Sequence, residues 1–255
     1  MINYYDSFYR MSPIDNQLFC CVSCKGLALY VQGGYLIERG VTSDNYSEFM
    51  DVYEQASLIM SISDDTTAVV MMNFPNMAKN KIVRLIPYLS DIFKSDTKEN
   101  IISYMPRKLP EHTDKLCFYL TNKLPPTWSL KPIQNLNETE TASLLAKSSI
   151  FMSFSDQEGF GLPPLEAALS GAIVVGYTGQ GGKEFFQSPN FQSVENGDFI
   201  TFVSMVLNLI KAVESGALME ESFLKGREKL KIRYSIVEHE RLLIEFAQRV
   251  GNFYR

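Results

Sequence analysis

Residues 150–177 read IFMSFSDQEGFGLPPLEAALSGAIVVGY, with an apolar run at each end and a turn rich in glycine and proline between them. The runs at 150–155 and 172–177 have the length and composition of buried strands. PPLEAALS (163–170) predicts a helix, because proline suits the first helical turn, where its missing N–H would have no partner inside the helix. A strand, a helix and a second strand in this order indicate two parallel strands joined by a crossover helix.

The same alternation extends in both directions along the chain. Further strands are predicted over 18–23, 27–32, 57–63, 82–89, 101–106 and 128–133. Further helices are predicted over 47–56, 64–72, 111–122 and 140–148, with helical periodicity from Asp198 onward. Because strands that are apolar throughout need cover on both faces, the predicted fold class is α/β and doubly wound, with Rossmann-type parallel sheets and helices on both sides.

A polar stretch, SDIFKSDTKEN (90–100), interrupts the alternation and is the best candidate for a linker. We therefore predict a Rossmann-like N-terminal domain over 1–97 and a second Rossmann-like domain over 98–235. A C-terminal helix over 236–255 is expected to pack back toward the N-terminal part.

Charge and composition exclude several classes of protein. The net charge of −5 and the sequence pI near 5.2 argue against a nucleic-acid partner held by bulk electrostatics. No apolar run reaches the roughly 18 residues of a transmembrane helix, and the first residues lack a signal pattern, so we expect a cytoplasmic protein. Cys21 and Cys24 have the spacing of a metal clip, but no matching CxxC or histidine pair follows, so no structural metal is predicted.

The turn at 156–161 is the first candidate site, because ligands of such sheets collect where strands end and helices begin. Amides and the positive dipole end of a helix starting near Pro163 favour an anion such as a diphosphate. Gly159 and Gly161 allow the backbone to approach a ligand closely. Glu166, expected in the first helical turn, can accept from the two neighbouring hydroxyls of a ribose. The alternative is that Glu166 only stabilises the helix start and that Glu158 is a solvated loop acid.

Two other predicted strand ends carry related features. TGQGG (178–182) follows the strand at 172–177 and is expected to open another helix at KEFF. Arg107 and Lys108 directly follow the strand at 101–106. Because the carboxyl ends of parallel strands face one crevice, these cations and amides are expected to meet the same ligand as the first turn.

Taken together, these residues resemble the signature of retaining glycosyltransferases with two Rossmann domains, the GT-B fold, and specifically of the family 4, or group 1, type. That signature is a glutamate, seven residues and a second glutamate within S-x-x-EGFGLPxLEA, followed by G-x-x-VV. The matching residues here are Ser155, Glu158, Gly159, Phe160, Gly161, Leu162, Pro163, Glu166, Ala167, Gly171, Val174 and Val175. The resemblance covers about 100–235 well.

The resemblance implies a site for a nucleotide-diphosphate sugar with no metal and no other cofactor. Glu158 would contact hydroxyls of the donor sugar, and Arg107 and Lys108 would face the diphosphate as the remaining catalytic residues. Glu166 would hold the ribose. The other donor-binding residues would be Ser155, Gly159, Phe160, Gly161, Leu162, Gly181 and Gly182. The family usually has a lysine five residues after the arginine, and here that position holds His112.

The front of the chain departs from the resemblance, because the acceptor half of the family is longer than residues 1–97. A truncated chain, a diverged small acceptor half and a split enzyme completed by a second polypeptide all remain open. The expected activity is transfer of a sugar, with retention of configuration, to a hydroxyl of a glycan or glycolipid acceptor. A nucleotide-sugar-binding subunit without activity of its own is the alternative, and a sugar-nucleotide epimerase fits less well. Peripheral contact with the inner membrane face is compatible with a glycolipid acceptor.

Overall fold

The computed structural model describes residues 8–10, 19–21, 27–216, 218 and 220–252. The chain divides into two compact units. Unit 1 comprises Met1–Pro87, Glu158–Phe160 and Val237–Arg255, and unit 2 comprises Tyr88–Gln157 and Gly161–Ile236.

Unit 1 contains two small sheets. The described strands, in chain order, are β1 (Phe8–Arg10), β2 (Phe19–Cys21), β3 (Ala28–Val31), β4 (Leu58–Ser61) and β5 (Ile82–Arg84). The first two pair antiparallel, and the other three form a parallel sheet in the order β3-β4-β5. Helices α1 (Tyr46–Gln55) and α2 (Asp64–Asn73) lie between these strands in the chain. Cys24 and the ends of the strand predicted at 18–23 lie outside the described residues.

The strand predicted at 82–89 is wrong at its carboxyl end, because β5 stops at Arg84. Its partner β4 ends at Ser61, which is opposite Arg84 in the register. Beyond that point no described strand continues beside β5 for pairing, and Pro87 lacks an N–H to donate. Apolar character in this segment therefore reflects burial of Leu85 and Leu89 and not further pairing.

Unit 2 is built on a five-stranded sheet. Its strands are β6 (Glu99–Tyr104), β7 (Ser129–Pro132), β8 (Ser148–Glu158), β9 (Ile173–Gln180) and β10 (Phe191–Ser193). Its helices are α3 (Pro110–Thr121), α4 (Glu138–Lys147), α5 (Leu162–Leu169), α6 (Phe199–Glu214) and α7 (Glu221–Arg233). The core joins apolar residues of the sheet, such as Ile102, Ile150 and Val175, to those of α3 and α6.

The stretch at 90–100, which was predicted to be a linker, is part of unit 2, which begins at Tyr88. The Leu89 N–H donates to Tyr234 O at 3.0 Å, and the Asp96 N–H donates to Ala146 O at 3.3 Å. The division of the chain therefore lies before the predicted boundary at residue 97, because this polar stretch finds backbone partners in unit 2.

The strand order β7-β6-β8-β9-β10 identifies the place where a ligand is expected. The chain passes from β6 to one neighbour, β7, and then returns across β6 to β8, and both pairs are parallel. This reversal is a topological switch point, and doubly wound sheets open a crevice there at the carboxyl ends of the two strands. Arg107 and Lys108 follow β6, and Gly159 follows β8.

Three predicted element ends in this region are wrong. Strand β8 continues to Glu158 instead of ending at 155, and β9 continues to Gln180 instead of 177. Because β8 lies between β6 and β9, its polar residues remain in the sheet although the apolar run has ended. Helix α5 begins at Leu162, after Gly161 with a left-handed φ of 88°.

Lys98 fixes the carboxyl ends of α4 and α5. Its Nζ donates to Ala146 O at 2.7 Å and Leu145 O at 3.3 Å in α4, and to Ser170 O, directly after α5. Burial lowers the pKa of Lys98 to about 7, and the charge of Arg227 adds to this effect. One side chain thus donates to carbonyls at the carboxyl ends of both α4 and α5, and it holds together the two helices on which the candidate site depends.

The C-terminal helix α8 (Ile236–Asn252) belongs to unit 1 from Val237 onward. Leu242 and Phe246 lie in one buried cluster with Ala28 and Leu58. Among the described residues, no helix combines the length and apolar character required to cross a bilayer.

Candidate functional site

Arg107 and Lys108 lie in the turn between β6 and α3, at the carboxyl end of β6. Both side chains are exposed. Arg107 makes no hydrogen bond or ion pair with any described residue, so its guanidinium is available to an anion without breaking an existing contact. A planar guanidinium matches phosphate oxygens in two-pronged geometry.

The first turn of α5 has fewer backbone N–H donors than was expected from the sequence for an anion site. Of the first four helix residues, Pro163 and Pro164 have no N–H, which leaves only those of Leu162 and Leu165. Gly161 precedes the helix without a side-chain cap. This end of the helix therefore contributes its dipole and at most two donors to a bound anion, and the cations after β6 become more important.

Glu166 is the fifth residue of α5, so the prediction that it lies in the first turn is wrong. Its side chain is half-buried, and burial raises its pKa to about 7, with a further contribution from the negative charge of Glu138. Glu138 is the first residue of α4, which places the beginnings of α4 and α5 near each other. A carboxylate in this position gains from hydroxyl donors that disperse its charge.

Glu158 ends β8 and follows Gln157, whose φ of 42° is unusual for a residue other than glycine. The next residue, Gly159, belongs to unit 1 and packs against other backbone of that unit. A Cβ added there would overlap Gln32 O and lie 2.6 Å from Gly33 Cα. Close approach of a ligand is therefore not needed to explain a glycine at position 159, because the backbone contact with Gln32 and Gly33 already requires one.

Ser155 and Phe160, two of the predicted donor-binding residues, have buried side chains. Ser153 Oγ donates to Tyr177 O at 2.7 Å and lies 3.2 Å from Ser155 Oγ. A Cβ added to Gly179, where φ is 66°, would lie 2.7 Å from Ser155 Cβ. Ser155 thus has partners inside the sheet, where it also sets the close approach of β8 and β9.

TGQGG does not open an α-helix, contrary to the prediction. A single 3-10 turn covers Gly181–Glu184, and both of its glycines are buried. Gln180 before it has a φ of 72°, a conformation that is costly for a side chain with a Cβ. The neighbouring strands β8 and β9 therefore each carry a glutamine with a positive φ at their carboxyl end: Gln157 is the penultimate residue of β8, and Gln180 is the last residue of β9.

A polar network that the motif analysis did not predict lies at three strand ends. The Tyr177 hydroxyl accepts from the Gly197 N–H at 3.1 Å and lies 3.1 Å from His112 Nδ1. Phe199 packs against the same imidazole, with ring centroids 5.0 Å apart. The available signal was the histidine in the position where the resembled family has a lysine, since it follows Arg107 by five residues.

Within the described ranges, no group of three or more His, Cys, Asp or Glu side chains has the arrangement of a metal site. Metal independence of the activity remains a prediction.

No protein-family model matches the chain. An α-1,6-glucosyltransferase of Actinobacillus pleuropneumoniae serotype 7 (strain AP76) is 26% identical to it over 178 residues, covering 66% of this chain and 51% of that protein. The chain thus spans about half the length of this curated relative.

Solved structures show the fold. Staphylococcus aureus TarM, in complex with fondaparinux, α-GlcNAc-glycerol and UDP, has a TM-score of 0.65 at 16% identity, covering 83% of this chain and 47% of that chain. Anabaena Alr3699/HepE in complex with UDP has a TM-score of 0.68 at 12% identity, covering 88% and 72%. Sucrose-phosphate synthase of Thermosynechococcus elongatus has a TM-score of 0.63 at 12% identity, covering 89% and 67%. The predicted α/β, GT-B-like fold class is confirmed.

Proposed function

We propose that this chain carries the donor site of a glycosyltransferase, which moves a sugar from a nucleotide-diphosphate sugar to an acceptor hydroxyl. The observation that supports this most is the position of EGFGLPPLE (158–166), which begins at the last residue of β8, at the switch point of a doubly wound sheet. Membership of the family 4, or group 1, type and retention of anomeric configuration are part of the proposal, and they rest on that motif.

Each end of the donor is assigned to a different set of side chains. Glu166 accepts hydrogen bonds from the ribose hydroxyls, and its half-buried position beside Glu138 gives it a reason to bind them. Glu158 contacts hydroxyls of the transferred sugar. Arg107 and Lys108 face the diphosphate. The remaining donor-binding residues of the proposal are Ser155, Gly159, Phe160, Gly161, Leu162, Gly181 and Gly182.

In the proposed reaction, the bond between the anomeric carbon and the diphosphate breaks, and its electron pair stays with the diphosphate oxygen. A bond forms from the acceptor oxygen to the same carbon, and the acceptor proton passes to a phosphate oxygen. Arg107 and Lys108 stabilise the charge that develops on the departing diphosphate, the task that fixed cations and dipoles perform in such sites. Two cations supply this stabilisation without a metal ion.

The relatives suggest which donor and acceptor to test. TarM and HepE were solved with UDP, and the Actinobacillus relative is a glucosyltransferase, so UDP-glucose is the first donor to examine. A glycan or glycolipid is the proposed acceptor class. A glycolipid acceptor would bring the protein to a membrane surface, which flotation with liposomes tests.

The decisive experiment measures nucleotide binding by thermal shift with UDP, GDP, dTDP and their glucose conjugates, because a ligand of the folded state raises the melting temperature. We expect Glu166→Ala to weaken binding of the best nucleotide by about 1–3 kcal/mol, through loss of hydrogen bonds to a carboxylate. Glu228→Ala, at an exposed position of α7, is the matched control. Equal affinity in the two variants would refute the ribose assignment.

A nucleotide-sugar-binding subunit, or one half of a split enzyme, is the second candidate, since the chain spans about half of its curated relative. Release of UDP from UDP-glucose by the purified chain distinguishes the two. Turnover supports the enzyme, and tight binding without turnover supports the subunit that requires a partner polypeptide.

A further inference from the structure

The Tyr177 hydroxyl is the centre of a hydrogen-bond network whose proton positions follow from its partners. Tyr177 is on β9, and its side chain is buried in the core of unit 2. Its oxygen accepts from the Gly197 N–H at 3.1 Å and lies 3.1 Å from His112 Nδ1. The rings of His112 and Tyr177 meet edge to face, with centroids 5.7 Å apart.

Donor accounting selects one tautomer of His112. A backbone N–H only donates, so the Gly197 N–H occupies one lone pair of the tyrosine oxygen. The buried hydroxyl hydrogen still requires an acceptor, and Nδ1 is the only one recorded beside it among the described residues. An Nδ1 that accepts this hydrogen leaves the imidazole proton on Nε2. Nε2 itself has no hydrogen-bond partner among the described residues, and the side chain is half-exposed. The network thus leaves the Nε2–H of His112 as a donor without a partner among the described residues.

His112 follows the cations of the candidate site closely in the chain. His112 is the third residue of α3, which begins directly after the turn that carries Arg107 and Lys108. Gly197 directly precedes the cap of α6, Asp198. The hydroxyl of Tyr177 therefore connects the chain segments that follow β6 and β10, on the edge of the sheet where the switch point opens.

We propose that Tyr177 is a positioning residue, which holds His112 with Nε2–H directed to the diphosphate of the donor, and that His112 is thereby a catalytic residue. This proposal rests on the proposed glycosyl transfer. The bond between the anomeric carbon and diphosphate oxygen breaks with its electron pair on the diphosphate, while the acceptor oxygen bonds to that carbon and its proton passes to a phosphate oxygen. Nε2–H donates a hydrogen bond to the departing diphosphate throughout and keeps its proton.

The tautomer is measurable without any substrate. The chain has two histidines, and His239 Nδ1 lies 2.7 Å from Ile86 O, a carbonyl that only accepts. His239 is therefore protonated on Nδ1 and serves as an internal reference. Proton–nitrogen correlation spectra recorded with both rings neutral are expected to show opposite tautomers. Tyr177→Phe is expected to change the His112 signals and leave those of His239 unchanged. Two histidines with the same tautomer in the wild-type protein would overturn the proposal.

Two substitutions of His112 test the roles of its two ring nitrogens separately. His112→Gln places an amide nitrogen near the position of Nε2, whereas His112→Asn keeps a group near Nδ1 and removes the outer donor. With UDP-glucose as probe, we expect His112→Asn to lower kcat for UDP release on the order of 100-fold, as for other lost donors to a developing charge. His112→Gln is expected to retain activity within about tenfold, and Tyr177→Phe to lose about 10-fold to 100-fold, as is common for residues that orient a functional group.

The outcomes distinguish this proposal from the proposed function. If UDP-glucose is bound and turned over but the Gln and Asn variants have equal kcat, the role of His112 is wrong and the glycosyltransferase remains. If no nucleotide sugar is bound by the wild-type protein, the proposed function fails, and with it the role of His112. Affinity for UDP relative to uridine gives an independent measure, since only UDP carries the diphosphate. A His112→Asn variant with unchanged preference for UDP would contradict the contact.

Discussion

The glycines of the two strand-end segments, EGFG (158–161) and TGQGG (178–182), differ from the charged residues of the same site in what they contact. Gly159 is held against Gln32 and Gly33, and Gly179 against Ser155, at distances that leave no room for a Cβ. Arg107, in contrast, has no partner among the described residues, and Glu166 is half-buried next to another acid. Gly159 and Gly179 therefore serve the packing of the protein, and the charged side chains remain for a ligand.

The comparison teaches that a glycine-rich loop at a strand end is weak evidence for ligand contact by itself. Close approach of backbone to backbone requires glycine as strictly as close approach of backbone to phosphate does. A charged side chain that is buried without an opposite charge beside it carries a cost in the free protein. That cost is a better indicator of a ligand, because binding relieves it.

The largest effect is expected for a glycine that packs against backbone, and it tests whether this packing requires glycine. Gly159→Ala is expected to destabilise the protein by about 2–4 kcal/mol, because the methyl group overlaps backbone that cannot rotate away. The measurement is chemical denaturation with and without UDP. Gly33→Ala is the control, since neither Gly33 nor Gly159 has a positive φ, and a Cβ added to Gly33 meets its nearest atom at 3.6 Å, an ordinary van der Waals contact. Equal losses in the two variants would contradict the clash at Gly159 as the cause.

The next effect concerns Glu166 in the absence of ligand. Its pKa is raised to about 7 in the folded state, so the folded protein binds more protons than the unfolded chain between pH 4.5 and 7, and the stability due to this group falls as pH rises through that range. Glu166→Gln is therefore expected to stabilise the ligand-free protein at pH 8, by at most about 3 kcal/mol, and much less at pH 4.5.

Melting temperatures at pH 4.5 and pH 8 measure this difference, with Glu228→Gln as the exposed control. A gain of the same size at both pH values would contradict the assignment of the raised pKa to Glu166. A Glu166→Gln variant that is more stable but binds nucleotide more weakly would show that the Glu166 carboxylate lowers the stability of the free protein and serves the ligand.

The smallest expected effect concerns Arg107. Arg107→Ala is expected to weaken UDP binding by about 1.5–3 kcal/mol at low salt, the range of hydrogen bonds to charged groups, and by less at high salt. The free energy of unfolding without ligand should stay within about 0.5 kcal/mol of wild type, since the side chain is exposed and unpaired. Titration calorimetry at two salt concentrations measures the first quantity. Unchanged affinity at both would remove Arg107 from the diphosphate site.

Most helices and strands were predictable, because their apolar periodicity is local information. The helix predicted at 111–122 is α3 (Pro110–Thr121), and the strand at 27–32 is β3 (Ala28–Val31). The ends of β5, β8 and β9 were not predictable in this way. A strand ends where its neighbours end, and the neighbours come from distant parts of the chain.

The sequence by itself determined the α/β class, the order of the elements and the position of EGFGLPPLE between a strand and a helix, because composition and periodicity act within a few residues. The small number of backbone N–H donors at the start of α5 also follows from the sequence, because Pro163 and Pro164 have none. Only the tertiary structure decided that Gly159 packs against Gln32 and that Glu166 lies beside Glu138. It also placed the Tyr177 hydroxyl between His112 and Gly197. These are contacts between residues far apart in the chain, and the strand order of the sheet brings them together.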